Sequence, residues 1–338
     1  MNSKHIVFTK PNTAELLSDE IGLPKADQVQ VALEISTISS GTERANLIGE
    51  VNVSIGKHPA TAQFPRYGGY SSAGRVLCVG ENVKNLKPGD RVALSWSKHA
   101  QIINMPQSNC VKLPDSVSSE EAALFHIATF PLAAIRKCRL EMGESALVMG
   151  QGILGMIAVK LLRAAGAVPV IAVDPIAEKR ENALCYGADY ALDPFATDFA
   201  ETVKRITGGG VRVAIEVTGN GKALDGTLDC MAKFGRVALL GCTRHSDFTI
   251  DYYHKVHGPG ITLIGAHTMA RPTAESSNGM WTQQDDMRTL LQLTEGGRLS
   301  LKDMISQIHS PEEAPAVYTR LATQPGFPIV QFDWRLLK

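Results

Sequence analysis

The sequence lacks an excess of either charge. Its 34 lysines and arginines are matched by 34 aspartates and glutamates over 338 residues, so nothing basic is left over to recruit nucleic acid or an anionic membrane surface. It also lacks an unbroken apolar run of membrane-spanning length: the longest apolar region, Ala146 to Val173, is interrupted by glycines, Lys160 and Arg163. The first ten residues carry Lys4 and Lys10 and no apolar core, so no secretory signal is evident. Cysteines number six, at 78, 110, 138, 185, 230 and 242, and no two form a C-x-x-C pair. They are expected to be free thiols in a reducing cytoplasm. No internal repeat or low-complexity linker is visible, and the length suffices for two domains with a sizeable core.

What the chain does have is Glu144-Ser-Ala-Leu-Val-Met-Gly-Gln-Gly-Ile-Leu-Gly155, an apolar strand, a glycine turn and the opening of a helix. Gly150, Gly152 and Gly155 stand in the G-x-G-x-x-G register. The first suits a tight turn, the second lets a pyrophosphate approach the main chain, and the third lets helix and strand pack closely. The helix beginning at Ile153 and Leu154 aims free N–H groups and the positive end of its dipole at the phosphates. A second apolar strand ends at Asp174, 19 residues past Gly155. A carboxylate there accepts hydrogen bonds from the adenosine ribose hydroxyls and repels a 2′-phosphate, which favours NAD over NADP.

Residues 1 to about 120 predict short strands at 29–35, 74–79, 91–94 and 101–104, separated by turns such as Lys87-Pro-Gly-Asp90, and so a small closed all-β domain. Ser118-Ser-Glu-Glu121 resembles a helix-capping box, with Pro131 either interrupting the following helix or starting a second one. From Glu144 to about Gly265 strands alternate with helices. Six strands are expected at 146–149, 170–173, 190–192, 211–217, 236–240 and 261–264, a doubly wound dinucleotide fold. Gly208-Gly-Gly210 is a turn, since no Lys-Ser/Thr follows it. A helix is expected over 283–293. The α/β insertion gives three segments: 1–125, 126–266 and a return at 267–338.

Taken together, Gly74-Arg-Val-Leu-Cys-Val-Gly80, Lys87-Pro-Gly-Asp-Arg-Val92, Leu113-Pro-Asp115 with Glu120-Glu-Ala-Ala123, the glycine fingerprint, Gly187-Ala-Asp189, Val217-Thr-Gly219 and Gly235-Arg-Val-Ala-Leu-Leu-Gly241 resemble the medium-chain dehydrogenase/reductase family, which includes the zinc alcohol dehydrogenases. The resemblance implies a GroES-like β-barrel catalytic domain, a Rossmann domain, a cleft between them and a homodimer paired through the 261–264 edge strand. The zinc-ligand positions of that family fall on Ser40, on Tyr70-Ser71 and near Phe125. Serine hydroxyl, phenol and phenyl are poor zinc ligands, and the four-cysteine structural zinc lobe is missing. No metal is therefore expected. The pairing of Ser39-Ser-Gly-Thr-Glu-Arg44 with Gly69-Tyr-Ser71 is similar to a metal-free branch, the bacteriochlorophyllide and sugar or glycoside dehydrogenases.

Without zinc, side chains must handle the proton as hydride leaves for the nicotinamide. The resemblance places Thr42 as the proton-relay hydroxyl, against a simple turn residue. It puts the Tyr70 phenol in the cleft, either as hydrogen-bond donor or acid/base or as filler of the vacated metal space. Glu43 adjoins this site and either takes part or pairs locally with Arg44. His126 is a candidate base or a buried helix histidine, and His99 carries the same two readings. His254 and His257 read as surface. For the cofactor, Lys179 resembles the adenosine-ribose lysine, and Thr218, Gly241, Cys242, Gly265 and Ala266 occupy strand ends where the fold places nicotinamide contacts. Trp281 lines a pocket or packs in the core. The expectation is a zinc-independent NAD-dependent oxidoreductase acting on a secondary alcohol or ketone of a small sugar-, polyol- or glycoside-like substrate. A metal-free enone or quinone reductase and a non-catalytic nucleotide-binding subunit are the alternatives.

Overall fold

The structure is a computed structural model that describes residues 1–51, 62–243, 246 and 248–338. By contact the chain divides into two units. Met1–Ile127 joins Met287–Lys338 to form the first, and Ala128–Asp286 forms the second.

The first unit opens with the hairpin β1 (Asn2–Lys10) and β2 (Thr13–Glu20); β1 pairs on its other side with β4 (Arg66–Tyr67). The long strand β3 (Gln28–Thr37) is the hub of a second sheet. It pairs antiparallel with β5 (Ser71–Val79) and with β7 (Ile102–Pro106), and β5 continues to β6 (Arg91–Ser95) and β8 (Cys110–Lys112). Val29, Val31, Leu33 and Ile35 alternate inward along β3 and are buried, the period expected of a strand with one packed face. Val29, Val31 and Leu33 meet Phe8, Leu47, Leu94 and Phe332 in one core. Between β3 and β4 lies helix α1 (Ser40–Ile48).

Ser118 caps the short helix α2 (Ser119–Ala122), its hydroxyl accepting the Glu121 N–H, as the capping motif predicts. Helix α3 (Phe125–Lys137) follows, and Pro131 lies inside it rather than at its end. The break falls instead at Ala123 and Leu124. A proline inside a helix costs about 3 kcal/mol, but Ile127, Ala128 and Ala134 on the same helix are fully buried, and their packing holds it together.

The second unit is a six-stranded parallel sheet in the order β11-β10-β9-β12-β13-β14. Its strands are β9 (Ala146–Met149), β10 (Val170–Val173), β11 (Tyr190–Leu192), β12 (Val211–Glu216), β13 (Met231–Leu239) and β14 (Thr262–Gly265). Helices α4 (Ile153–Ala164), α5 (Ala177–Cys185), α6 (Phe199–Thr207) and α7 (Gly221–Asp229) connect the first five. β9 and β10 are buried at every residue, as parallel strands covered on both faces must be. All six expected strands are present, with β13 starting five residues early. The strand order reverses between β9 and β12, so the carboxyl ends of those strands open a crevice.

Helix α8 (Gln283–Glu295) begins in the second unit. The chain then returns to the first through β15 (Gln307–His309), helix α9 (Ala314–Thr323) and β16 (Val330–Asp333), and β16 pairs with β3. Residues 267–286 were expected with the return but group with the second unit, because Asp286 anchors them there. Its buried carboxylate meets Arg136 Nε at 2.8 Å and Arg271 Nη1 at 3.4 Å, Arg271 also donates to the Thr129 carbonyl, and Trp281 stacks under the Arg136 guanidinium at 3.6 Å. Removing one partner of a buried ion pair strands the other charges, so Asp286→Ala should lower unfolding free energy by about 3–5 kcal/mol. Denaturant unfolding followed by circular dichroism measures it, and a loss below about 1 kcal/mol, the worth of an exposed pair, would contradict this assignment.

Candidate active site

In the first unit the chemistry gathers at the start of α1. Ser39 is the N-cap of that helix, yet its side chain makes no capping hydrogen bond. Glu43, one turn on, reaches back instead, and its Oε1 accepts the Ser39 N–H at 2.8 Å. Its Oε2 accepts from His99 Nε2 at 3.1 Å and from the Tyr318 phenol. Glu43 and His99 are both buried, at 1% and 0% exposure. His99 Nδ1 lies 2.7 Å from Ser36 Oγ, which also accepts the Trp334 Nε1–H at 2.8 Å. The local pairing of Glu43 with Arg44 does not form. Adjacent helix residues point in different directions, and Arg44 Nε donates to the Ala322 carbonyl.

The Ser39 hydroxyl accepts a hydrogen bond from the Tyr70 phenol. Thr42, exposed at the helix start, also hydrogen-bonds that phenol. Burial of the phenol oxygen pushes Tyr70 up to about 12, with the Glu43 charge adding to the rise and the Ser39 and Thr42 hydroxyls opposing it. Tyr70 is therefore neutral at physiological pH, a donor rather than a phenolate. Its ring meets His126 edge-on at 5.5 Å, and Trp96 meets both His126 (4.6 Å) and Tyr70 (6.0 Å). His126 is fully buried, whereas Trp96 is 40% exposed with φ +58°. A bulky residue in that backbone region costs about 1–3 kcal/mol and is held there by its surroundings. Thr42, Tyr70 and His126 are thus brought together, and Glu43 stands behind them. Ser39, Trp96 and Tyr318 were not singled out from the sequence. The doubled serine at 39–40 was the one local signal.

This donor set does not fit zinc. At the positions where a metal would be held stand Ser40, Tyr70, Ser71 and Phe125, and the Ser71 hydroxyl is already spent on the Ala123 carbonyl at 2.7 Å. Among the described residues no group of three or more histidines, cysteines, aspartates or glutamates is arranged to hold a metal ion.

In the second unit the glycine turn does what its spacing predicts. Gly150 has φ +98°, and a Cβ on Gly155 would fall 1.8 Å from the Gly150 carbonyl oxygen, so only glycine lets α4 start so close to β9. Gly152, the N-cap of α4, has open space around its missing Cβ. That is a vacancy suited to a diphosphate, at a helix end that attracts anions. Ile153 and Leu154 form the first turn of α4. Asp174, 6% exposed, accepts the Gln151 N–H on Oδ2 at 2.8 Å and the Ile176 N–H on Oδ1 at 2.9 Å. Each oxygen keeps a further lone pair for a ribose hydroxyl. Lys179 is half-buried on the first turn of α5; its neighbour Arg180 is tied to the Asp174 and Pro175 carbonyls.

Thr218, Gly241 and Cys242 converge at the ends of β12 and β13. The Thr218 methyl packs against Gly150, and a Cβ on Gly241 would fall 2.1 Å from Gly219 N. Gly265 and Ala266 close β14, where the Ala266 N–H bonds the Leu239 carbonyl at 3.1 Å and Lys137 Nζ the Gly265 carbonyl at 2.8 Å. One residue was missed. Glu216, 3% exposed, ends β12 and holds the turn by accepting from the Thr218 hydroxyl and the Thr218 and Gly219 N–H groups. Burial raises its pKa against those hydrogen bonds.

Residues 154–294 match the family model described as zinc-binding dehydrogenase. The chain is 31% identical to (R,R)-butanediol dehydrogenase of Bacillus subtilis over 62% of this chain and 69% of that one. It is 26% identical to D-guloside 3-dehydrogenase of Escherichia coli over 95% and 96%. A crystal structure of an Escherichia coli oxidoreductase/dehydrogenase of unknown specificity superposes with TM-score 0.85 at 17% identity, covering 100% of both chains. The chain belongs to the zinc-binding, medium-chain dehydrogenase family. Its first unit is the GroES-like domain and its second the Rossmann domain of that family. Among the described residues no helix is long and apolar enough to cross a membrane.

The two glycines of the turn make separable predictions. Gly152→Ala should fold normally, since its Cβ meets nothing in the protein, yet weaken NADH binding by about tenfold or more, roughly 1.4 kcal/mol. Gly155→Ala should destabilise the fold itself. NADH fluorescence titration beside thermal melting separates the two, and undiminished NADH affinity in Gly152→Ala would show that no diphosphate lies there.

Proposed function

We propose that this protein is a zinc-independent dehydrogenase that uses NAD and interconverts a secondary alcohol and its ketone on a sugar, polyol or glycoside. The observation that carries the reading is the Tyr70 phenol, held neutral and hydrogen-bonded to Ser39 and Thr42, where the family would hold a metal. Adding hydride to a ketone puts negative charge on the oxygen, and in the reverse direction the alcohol must give up its hydroxyl proton as hydride leaves its carbon, so in both directions alkoxide character on that oxygen has to be stabilised. A zinc ion does this as a Lewis acid; aligned hydroxyl donors do it by hydrogen bonding.

NAD supplies the hydride acceptor. Gly150, Gly152 and the α4 amino terminus would hold its diphosphate, Asp174 its adenosine ribose, and the ends of β12, β13 and β14 its nicotinamide half. In ketone reduction the single O–H of Tyr70, donated to Ser39 in this structure, turns to the substrate oxygen and gives its proton there. The Thr42 hydroxyl, exposed to water, returns a proton to the phenol oxygen. Alcohol oxidation runs the same exchange backwards. The half-exposed Trp96 ring offers an apolar face of the kind that packs against the C–H face of a sugar ring, and the likeness to a guloside dehydrogenase over nearly the whole chain supports that substrate class. The exposed edge strand β14 supports a homodimer.

The test is an absorbance assay of NAD and NADP reduction across polyols and methyl glycosides, repeated with enones and quinones plus NAD(P)H. Turnover is expected with NAD and an alcohol. Tyr70→Phe should lower kcat/KM by about 10²-fold, the scale of a lost acid/base group, with NADH affinity unchanged. Because Tyr70 ionises only near 12, the wild-type pH profile between 6 and 10 should contain no limb that disappears in Tyr70→Phe. Full activity in that variant, or a preference for NADP, would contradict the proposal; turnover of enones alone would assign the second reductase reading.

A further inference from the structure

Behind Tyr70 lies a buried hydrogen-bonded group. Ser36 Oγ accepts the Trp334 indole N–H and lies 2.7 Å from His99 Nδ1, while His99 Nε2 faces Glu43 at 3.1 Å. Glu43 carries the negative charge of this cluster and is answered by three donors: His99, the Tyr318 phenol and the Ser39 N–H. Burying a carboxylate costs more than burying an apolar side chain of the same volume, and a purely structural anchor at this place would be better made of hydrocarbon. The carboxylate also does something hydrocarbon cannot. It accepts the N–H of Ser39 itself, as the carboxylate of a capping box accepts the N–H of its N-cap, and so fixes the backbone of the residue that holds Tyr70.

We propose that Glu43, oriented by His99 and Tyr318, is the positioning residue for Tyr70: by binding the Ser39 N–H it fixes in place the residue whose hydroxyl receives and aims the Tyr70 phenol. The proposal rests on the reading above only in taking Tyr70 to face the substrate oxygen. Glu43, His99 and Tyr318 touch no substrate in this scheme. They act through Ser39, and the backbone N–H of Ser39 and its hydroxyl are the two ends of the link.

The test uses the full-length protein labelled at tyrosine Cζ. Its seven tyrosines give seven 13C resonances, and Tyr70→Phe assigns the one of interest. Tyr318→Phe keeps the ring packed against Phe8 and Phe332 and removes only the donor to Glu43; Ser39→Ala removes the acceptor. Both should move the Tyr70 resonance, while Tyr253→Phe, on an exposed tyrosine, should leave it in place. His99→Gln, which keeps an N–H for Glu43, should move it less than His99→Leu. On the substrate found by the NAD assay, Tyr318→Phe should lower kcat by about tenfold, the scale of a misplaced reacting group, with KM for NAD unchanged. A Tyr70 resonance indifferent to Tyr318→Phe and to both His99 variants would overturn the positioning role. Because that readout needs no turnover, it stands even if every substrate fails and the dehydrogenase reading falls.

Discussion

An ionised carboxylate inside a protein must be surrounded by donors, and in the first unit Glu43 draws them from its own helix and from two distant parts of the chain. Ser39 comes from the same helix, His99 from the loop before β7, and Tyr318 from α9 near the carboxyl terminus. Trp334, beyond β16, joins through Ser36. The two chain segments that build this unit are thereby tied at one buried point, beside the β3–β16 ladder that pairs them along their backbones. Glu43 holds the amino end of α1 through the Ser39 N–H, and the hydroxyl of the same serine accepts from Tyr70.

The second unit is governed by a steric rather than an electrostatic condition. Helix α4 can start over the end of β9 only if no Cβ intrudes at Gly155, and the same turn leaves Gly152 open where a diphosphate would lie. Asp174 belongs to this turn as much as to a ribose site, since it accepts the N–H of Gln151 within the glycine loop. The carboxylate that would select the coenzyme is already aligned by the backbone it stabilises. Glu216 does the corresponding work at the end of β12, which makes the floor of the nicotinamide half a second case of a buried acid shaping a loop.

Much of this was legible in the sequence, for reasons that are local. The glycine register, the four-residue apolar strands and the acid after the second strand each follow from sterics or periodicity within a few residues, and all six parallel strands lie where those rules put them. The residue types at the family's zinc-ligand positions can likewise be read directly, because serine, tyrosine and phenylalanine differ chemically from thiolate and imidazole. What was not legible depends on contacts across long separations. Nothing near Glu43 announces Tyr318, 275 positions away, so pairing with the adjacent Arg44 looked reasonable until helix geometry separated the two. Pro131 misled for the opposite reason. Its local cost is real, but the buried residues around it in α3 outweigh that cost, and the break falls about two turns earlier, at Ala123 and Leu124.

The family is described by its zinc, and this chain keeps the fold while replacing each metal-binding side chain with one that binds zinc poorly. In the mechanism we propose, a phenol supported by two hydroxyls takes the place of the Lewis acid. The most direct test is the zinc content of protein purified from zinc-replete medium, measured by inductively coupled plasma mass spectrometry together with NAD-linked turnover before and after exhaustive chelation. The account predicts zinc far below one per chain and turnover that chelation leaves unchanged. One zinc per chain, with turnover lost on its removal and restored on its return, would contradict it.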